Sequence, residues 1–396
     1  MKAIIHIGMM KTGSTSIQTW LHSNRAALED KGMQSNEGAG RFEKFHQGAL
    51  KYAVYQTAMH ELGADEKTAW VDSWGELKWE GKMYEFCKLL TNQLEKFSGE
   101  SGTFIYSDET LYKCNETQMI ALDKYLSRFF DDRTYVAYIR NTVDFFVSLY
   151  SQKLHSSLFF EWRTQEYLEF LKKCANDLVP YGLESSFGNL FDWNKALGDR
   201  LNVRLLESDW LVNGDLIEDF ASLVGVAAFG KPGRINESFA AEYVEYVRFL
   251  NLEYQNGLPR KIREKALEIL KDASSGKSKL AASDAQAKSI RDAHREQEEK
   301  IRKRFFPDRP FLFSPKFRGC GVAPVPLTKR RKAKIESEIR EKMSPEVWVP
   351  HEFARSGRRK RARHLREPPG IKAVPVGELE PFDFLLLRHE IALTGG

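Results

Sequence analysis

The first sixteen residues constrain this chain more than any other stretch. Ala3 to Ile7 is a short apolar run of strand type, Gly8-Met9-Met10-Lys11-Thr12-Gly13 interrupts it, and Ser14 opens a helix with Ile17, Trp20, Leu21 and Leu28 on one face. A strand that turns through glycines straight into a helix predicts a layered α/β arrangement. It also aims a helix N-terminus, with its free backbone N–H groups, at an anion-sized space above the strand. As an ordinary corner the segment needs Gly13, Ser14 and Thr15 only to turn and cap the chain. Lys11 argues against that reading, because a lysine beside a helix N-terminus is unfavourable until an anion arrives.

The rest of the chain repeats the alternation. Strands are predicted at Thr103 to Ser107, Thr134 to Ile139 and Asn202 to Leu206, with helices at Leu216 to Val224 and Glu242 to Leu252. The order strand, helix, strand, helix favours a parallel sheet. Residues from about 40 to 100 have helical spacing and several tryptophans, and are read as a helical insertion. Ser274 to Lys303 reads as an exposed helix or hinge, and Phe305 to Phe313 as a hydrophobic anchor. With 42% hydrophobic and 29% charged residues over 396 positions, the composition is that of a folded protein. The absence of a signal-peptide core and of any run of 18 apolar residues leads to the expectation of a cytoplasmic protein without a transmembrane segment. Cys87, Cys114, Cys174 and Cys320 lack metal-ligand spacing and are read as free thiols. The net charge of +5 is concentrated late, since Thr328 to Arg366 holds fourteen Lys or Arg against five Asp or Glu. The expected organisation is a domain over residues 1–315 and a basic, partly disordered extension over 316–396.

Two comparisons sharpen the loop. The nucleotide-triphosphatase pattern GxxxxGK[ST] matches both glycines, but Ser14 stands where its lysine would be, and the lysine lies inside the loop at Lys11. A lysine inside the loop can reach the bridging oxygen of a phosphosulfate rather than the β and γ phosphates of a triphosphate. Further along, Arg140 ends a predicted strand in Arg140-Asn141-Thr142-Val143-Asp144, with Ser148 about two helical turns beyond Asn141. An arginine fork and a hydroxyl suit an isolated phosphate.

Lys11-Thr12-Gly13-Ser14-Thr15 resembles the 5′-phosphosulfate loop KTGTT of sulfotransferases that use 3′-phosphoadenosine-5′-phosphosulfate (PAPS). The run from Arg140 to Tyr150 resembles their 3′-phosphate motif RNPxDxxxSxY, with Thr142 where many members have proline. The resemblance is to the bacterial carbohydrate-type members. It implies a P-loop-type central parallel sheet flanked by helices, PAPS as co-substrate, 3′-phosphoadenosine 5′-phosphate as product, and no metal. It further implies that Lys11 stabilises the leaving phosphate. Thr12, Gly13, Ser14, Thr15 and Ser16 would hold the 5′-phosphate, and Arg140 and Ser148 the 3′-phosphate. The acceptor implied is a glycan or glycolipid hydroxyl or amine.

For the general base the expected order is Glu109, then His46, then Asp108, because a base should leave a strand end near the loop and Ser107-Asp108-Glu109 does so. Trp70, Trp74 and Trp79 serve equally as sugar platforms or as core, and Arg234 to Ser238 as a closing loop or a capping turn. Two other readings compete. A small-molecule kinase would place Asp108 on Mg²⁺, but it lacks a lysine after Gly13 and leaves Arg140 and Ser148 without a role. A binder of nucleic acid or another anionic surface would use Arg358 to Arg361, but no nucleic-acid module accompanies that cluster, so nucleic acid is not the expected partner.

Overall fold

The computed structural model describes residues 1–35, 50, 54, 82–97, 102–156, 164–176, 183–230, 240–253, 260–273, 278–314, 321–324 and 327–342. In chain order they form β1 (Lys2–His6), α1 (Ser14–Ser23), α2 (Arg25–Glu29), β2 (Met33–Ser35), α3 (Lys82–Phe97), β3 (Thr103–Ser107), α4 (Glu116–Leu126) and β4 (Asp132–Ile139). There follow α5 (Thr142–Ser156), α6 (Tyr167–Asn176), α7 (Leu183–Leu197), β5 (Leu201–Leu205), α8 (Leu216–Val224), α9 (Ala241–Glu253) and α10 (Arg260–Ala273). The last elements are β6 (Lys279–Leu280), α11 (Asp284–Phe305), β7 (Gly321–Val322) and α12 (Lys329–Lys342). The α/β class and the parallel sheet expected from the sequence are both present. The short edge strand β2 was not foreseen, because Met33-Gln34-Ser35 has no apolar pattern of its own.

The sheet has the order β2-β3-β1-β4-β5, and every neighbouring pair is parallel. β1 lies at its centre between β3 and β4. The inner strands β1, β3 and β4 are buried over most of their length because both faces are covered, as parallel sheets require. On one face Ile4, Ile105, Val136 and Tyr138 pack with Ile17, Trp20 and Leu21 of α1 and with Ile217 and Phe220 of α8. The Trp20 indole N–H donates to the Phe229 carbonyl at 2.8 Å, so the largest side chain of that face is satisfied as well as buried. On the other strand face, Tyr135 meets Trp193 of α7 with ring centroids 5.6 Å apart, and Trp193 Nε1 donates to the Tyr112 carbonyl at 3.3 Å.

The chain divides into two units. One comprises Met1–Thr142, Leu178–Glu237 and His294–Pro315, and contains the five-stranded sheet. The other comprises Val143–Asp177, Ser238–Ala293 and Lys316–Gly396. The boundary expected at residue 315 coincides with one of these segment ends, and the second unit adds Val143–Asp177 and Ser238–Ala293 to the segment after it. In that segment, expected to be an extension, α12 buries Ile335 and Ile339. α12 also pairs Arg331 with Glu242 of α9 at 2.7 Å and lays that guanidinium over the Tyr246 ring at 5.3 Å. β7, from the same segment, pairs in parallel with β6. Residues 343–396, including Arg358 to Arg361, lie outside the described residues. So does most of the helical insertion, of which α3 buries Leu90, Leu94 and Phe97. No helix among the described residues is long and apolar enough to cross a membrane.

Candidate functional site

The carboxyl ends of β3, β1 and β4 lie side by side in the sheet, and the three predicted site segments leave from them. In α/β sheets ligands bind in the crevice outside those ends, where the chain departs to opposite sides of the central strand. β1 and β3 stop level with each other: His6 is opposite Ser107, and Asp108 N donates to the His6 carbonyl at 2.9 Å. β4 continues past Val136, the partner of His6, as far as Ile139. Arg140 is therefore carried about 13 Å beyond the end of β1, at about 3.3 Å per residue, and comes level with the loop.

That loop needs its two glycines. Gly8 has φ 56°, and a Cβ there would come within 3.0 Å of the Glu109 Cα and of Ser14 Oγ. Gly13, the N-cap of α1, has φ 89°, and a Cβ on it would lie 2.3 Å from Leu216 Cδ2. Lys11 also sits in the left-handed region at φ 63°, a conformation that costs a non-glycine residue of order 1–3 kcal/mol and is held only where its surroundings fix it. Two contacts fix it here. Arg140 Nη1 donates to the Lys11 carbonyl at 3.2 Å, and Thr12 Oγ1 donates to the Met9 carbonyl at 2.6 Å.

The N-terminus of α1 has no side-chain cap and no acidic residue in its first turn. The Gly13 carbonyl takes the N–H groups of Ser16 and Ile17, whereas the first N–H groups of a helix have no intrahelical partner. Ser14 Oγ lies in the same place, 3% exposed as a residue and without a hydrogen-bond partner among the described residues. A buried hydroxyl left unmatched costs about 1–3 kcal/mol. An oxyanion above the loop would satisfy both it and the helix end. Thr15 is exposed and Ser16 half-buried at the same helix start.

Electrostatics tie the three strand ends together. Burial lowers the pKa of the Lys11 amine from its ordinary value, the charge of Glu109 raises it, and the charge of Arg140 lowers it again. Glu109 is half-buried beside the loop. Asp108 is fully buried, and its Oδ1 accepts from Thr110 N at 2.8 Å and Thr110 Oγ1 at 2.7 Å, so its position is that of a turn-forming carboxylate. Thr142, at the position of the motif's proline, donates from Oγ1 to Glu298. Ser148 is half-buried on α5 in the second unit. His46, Trp70, Trp74, Trp79 and the segment Arg234 to Ser238 lie outside the described residues.

Two features were missed. His6 is fully buried directly under the loop, where Nδ1 bonds Ser107 Oγ at 2.8 Å and the ring stands edge-on to Tyr138 and Phe220, both at 5.8 Å. Burial drives its pKa down to about 3, so the imidazole is neutral. A histidine inside an otherwise apolar strand was the available signal. The second is a fully buried Asp219 that accepts from Tyr138 OH at 2.6 Å, Arg204 Nε at 2.6 Å and Val212 N at 3.1 Å. Burial alone would raise the Asp219 pKa, but the hydrogen bonds from Arg204, Tyr138 and Val212 hold it below the ordinary value. This network locks β4 and β5 to α8, the helix whose Leu216 closes on Gly13.

No family model matches the sequence. Comparison with curated proteins finds no match, and comparison with solved structures finds none either.

Proposed function

We propose that this chain is a sulfotransferase of the P-loop type that moves the sulfuryl group of PAPS to a hydroxyl or amine of an acceptor, with a glycan or glycolipid as the acceptor class. One observation carries the reading. An uncapped helix N-terminus, the unpartnered buried hydroxyl of Ser14, the Lys11 amine and the Arg140 guanidinium are gathered at the carboxyl ends of adjacent parallel strands. That donor set is cationic, and it fits an oxyanion of the phosphosulfate class. PAPS supplies the sulfuryl group and leaves as 3′-phosphoadenosine 5′-phosphate.

In this reading the backbone of Gly13, Ser14 and Thr15 binds the 5′-phosphate, aided by the hydroxyls of Ser14 and Ser16, while the Thr12 hydroxyl, donated to the Met9 carbonyl, holds the loop in shape. Lys11 offsets the charge that grows on the leaving phosphate in an in-line displacement, an interaction strongest in the transition state. Glu109 takes the acceptor proton. Its strand end holds it beside Lys11 at the loop. Arg140 binds the 3′-phosphate while its hydrogen bond to Lys11 holds the loop in its strained form.

The reading is tested by titrating the protein with 3′-phosphoadenosine 5′-phosphate and with adenosine 5′-phosphate, in wild type and in Arg140→Ala. Wild type is expected to bind the 3′-phosphorylated nucleotide at least about tenfold more tightly, the worth of a charged hydrogen bond. The gap should close in the variant. Equal losses for both nucleotides would remove Arg140 from 3′-phosphate recognition.

A further inference from the structure

A second cluster at the carboxyl end of β5, within the same unit, is not used by the reaction proposed above. Trp210, in the turn that follows β5, is 52% exposed, and the Arg309 guanidinium carbon lies 3.7 Å from its ring centroid. The Arg309 side chain is itself only 10% exposed, and its Nε and Nη1 have no hydrogen-bond partner among the described residues. Nη2 faces Glu207 Oε2 at 3.6 Å, too far for a hydrogen bond. The other Glu207 oxygen is taken by Ser314 N at 3.0 Å. Arg302 holds the segment in place, donating from Nη1 to the carbonyls of Arg309 at 2.6 Å and Pro307 at 3.1 Å.

A guanidinium cannot shed its proton, so burial cannot neutralise it. Two of its donors are left unmatched, at a cost of about 1–3 kcal/mol each. An oxyanion on the Nε–Nη2 edge would satisfy Nε and give Nη2 the hydrogen bond that Glu207 is too far away to make. The indole covers the guanidinium on one side while keeping half its surface in solvent, and exposed side chains change rotamer within nanoseconds. It can therefore slide aside for an anion and still offer a flat apolar face beside it.

We propose that Trp210 and Arg309 form a binding subsite for a carboxylate borne on a ring, of the uronic-acid or aromatic-acid class. The carboxylate takes the Nε–Nη2 edge of Arg309, where the two N–H bonds run parallel, in competition with Glu207, and the ring lies against the Trp210 indole. None of these residues belongs to the loop after β1, so the subsite stands or falls separately from sulfuryl transfer.

The test titrates the full chain with methyl β-glucuronide, its neutral glucoside counterpart and acetate, following tryptophan fluorescence. The glucuronide is expected to give a saturable change absent in Trp210→Phe, with both other probes weaker by at least about tenfold. Arg309→Gln should weaken the glucuronide by a similar factor. Glu207→Gln, which keeps an acceptor for Ser314 but removes the competing charge, should tighten it by about threefold, and this variant decides if Arg309→Gln does not fold. The proposal is overturned by any of four results: no saturation, a signal that survives Trp210→Phe, equal binding of glucoside or acetate, or unchanged affinity in Glu207→Gln.

Discussion

Arg140 hydrogen-bonds the carbonyl of Lys11 at 3.2 Å, joining the end of β4 to a loop residue whose backbone is left-handed. The pair places two positive charges at one end of the sheet, where the charge of Glu109 also acts on Lys11. Such an arrangement is poor for an empty corner and good for an anion site.

Lys11→Ala tests the amine apart from the backbone. The φ of 63° costs alanine no more than lysine, and the Arg140 bond goes to the carbonyl, so the fold should persist. Transfer should fall by about a hundredfold or more in kcat, the usual loss for a transition-state donor. Retention of more than about a tenth of wild-type kcat argues against the role given to Lys11.

Glu109→Gln separates base from scaffold. As the base, its loss should lower kcat by about a hundredfold or more while nucleotide affinity changes little. The variant also removes the charge that raises the Lys11 pKa, so the alkaline limb of kcat should move to lower pH. A near-normal kcat, with a hundredfold loss in His46→Asn instead, would transfer the role to His46.

His6 makes stability depend on acid. Its native pKa is about 3 against an ordinary 6.5, so the unfolded chain binds a proton that the native chain refuses between those values. Stability is therefore full above about pH 6.5 and lost as pH falls toward 3, at a limiting slope of about 1.4 kcal/mol per unit. His6→Asn should flatten that limb in urea unfolding measured from pH 7 to 4. An unchanged limb would mean that His6 is not the residue resisting the proton.

Truncation distinguishes docked from dispensable tail. A chain ending at Lys342 keeps Ile335 and Ile339 buried and should unfold like the full chain, whereas one ending at Pro324 strips the face they cover. Losing a large buried aliphatic side chain costs about 2–5 kcal/mol, so the shorter chain should unfold at clearly lower urea. Equal midpoints would show α12 to be an ornament.

The sequence was most legible where a pattern is local. β1, β3 and β4 carry apolar runs and β5 the alternation Leu201, Val203, Leu205, and the loop from Gly8 to Gly13 is a contiguous motif, so its strand-end position could be foreseen. What escaped depends on distance in the chain or on sparse apolar residues. Asp219 meets Tyr138 and Arg204 from three separate elements, and no spacing within one element announces it. α12 has Ile335 and Ile339 one turn apart in a charged helix, which reads as solvated until α9 and α10 are there to receive them. Arg309 on Trp210 joins residues about a hundred positions apart.

The most direct measurement is the affinity of the purified chain for 3′-phosphoadenosine 5′-phosphate beside that for ATP with Mg²⁺, by titration calorimetry. A loop with Lys11 inside it and Arg140 at the neighbouring strand end should bind the former at least about tenfold more tightly. Tighter binding of ATP with Mg²⁺ would contradict the account and favour the kinase reading.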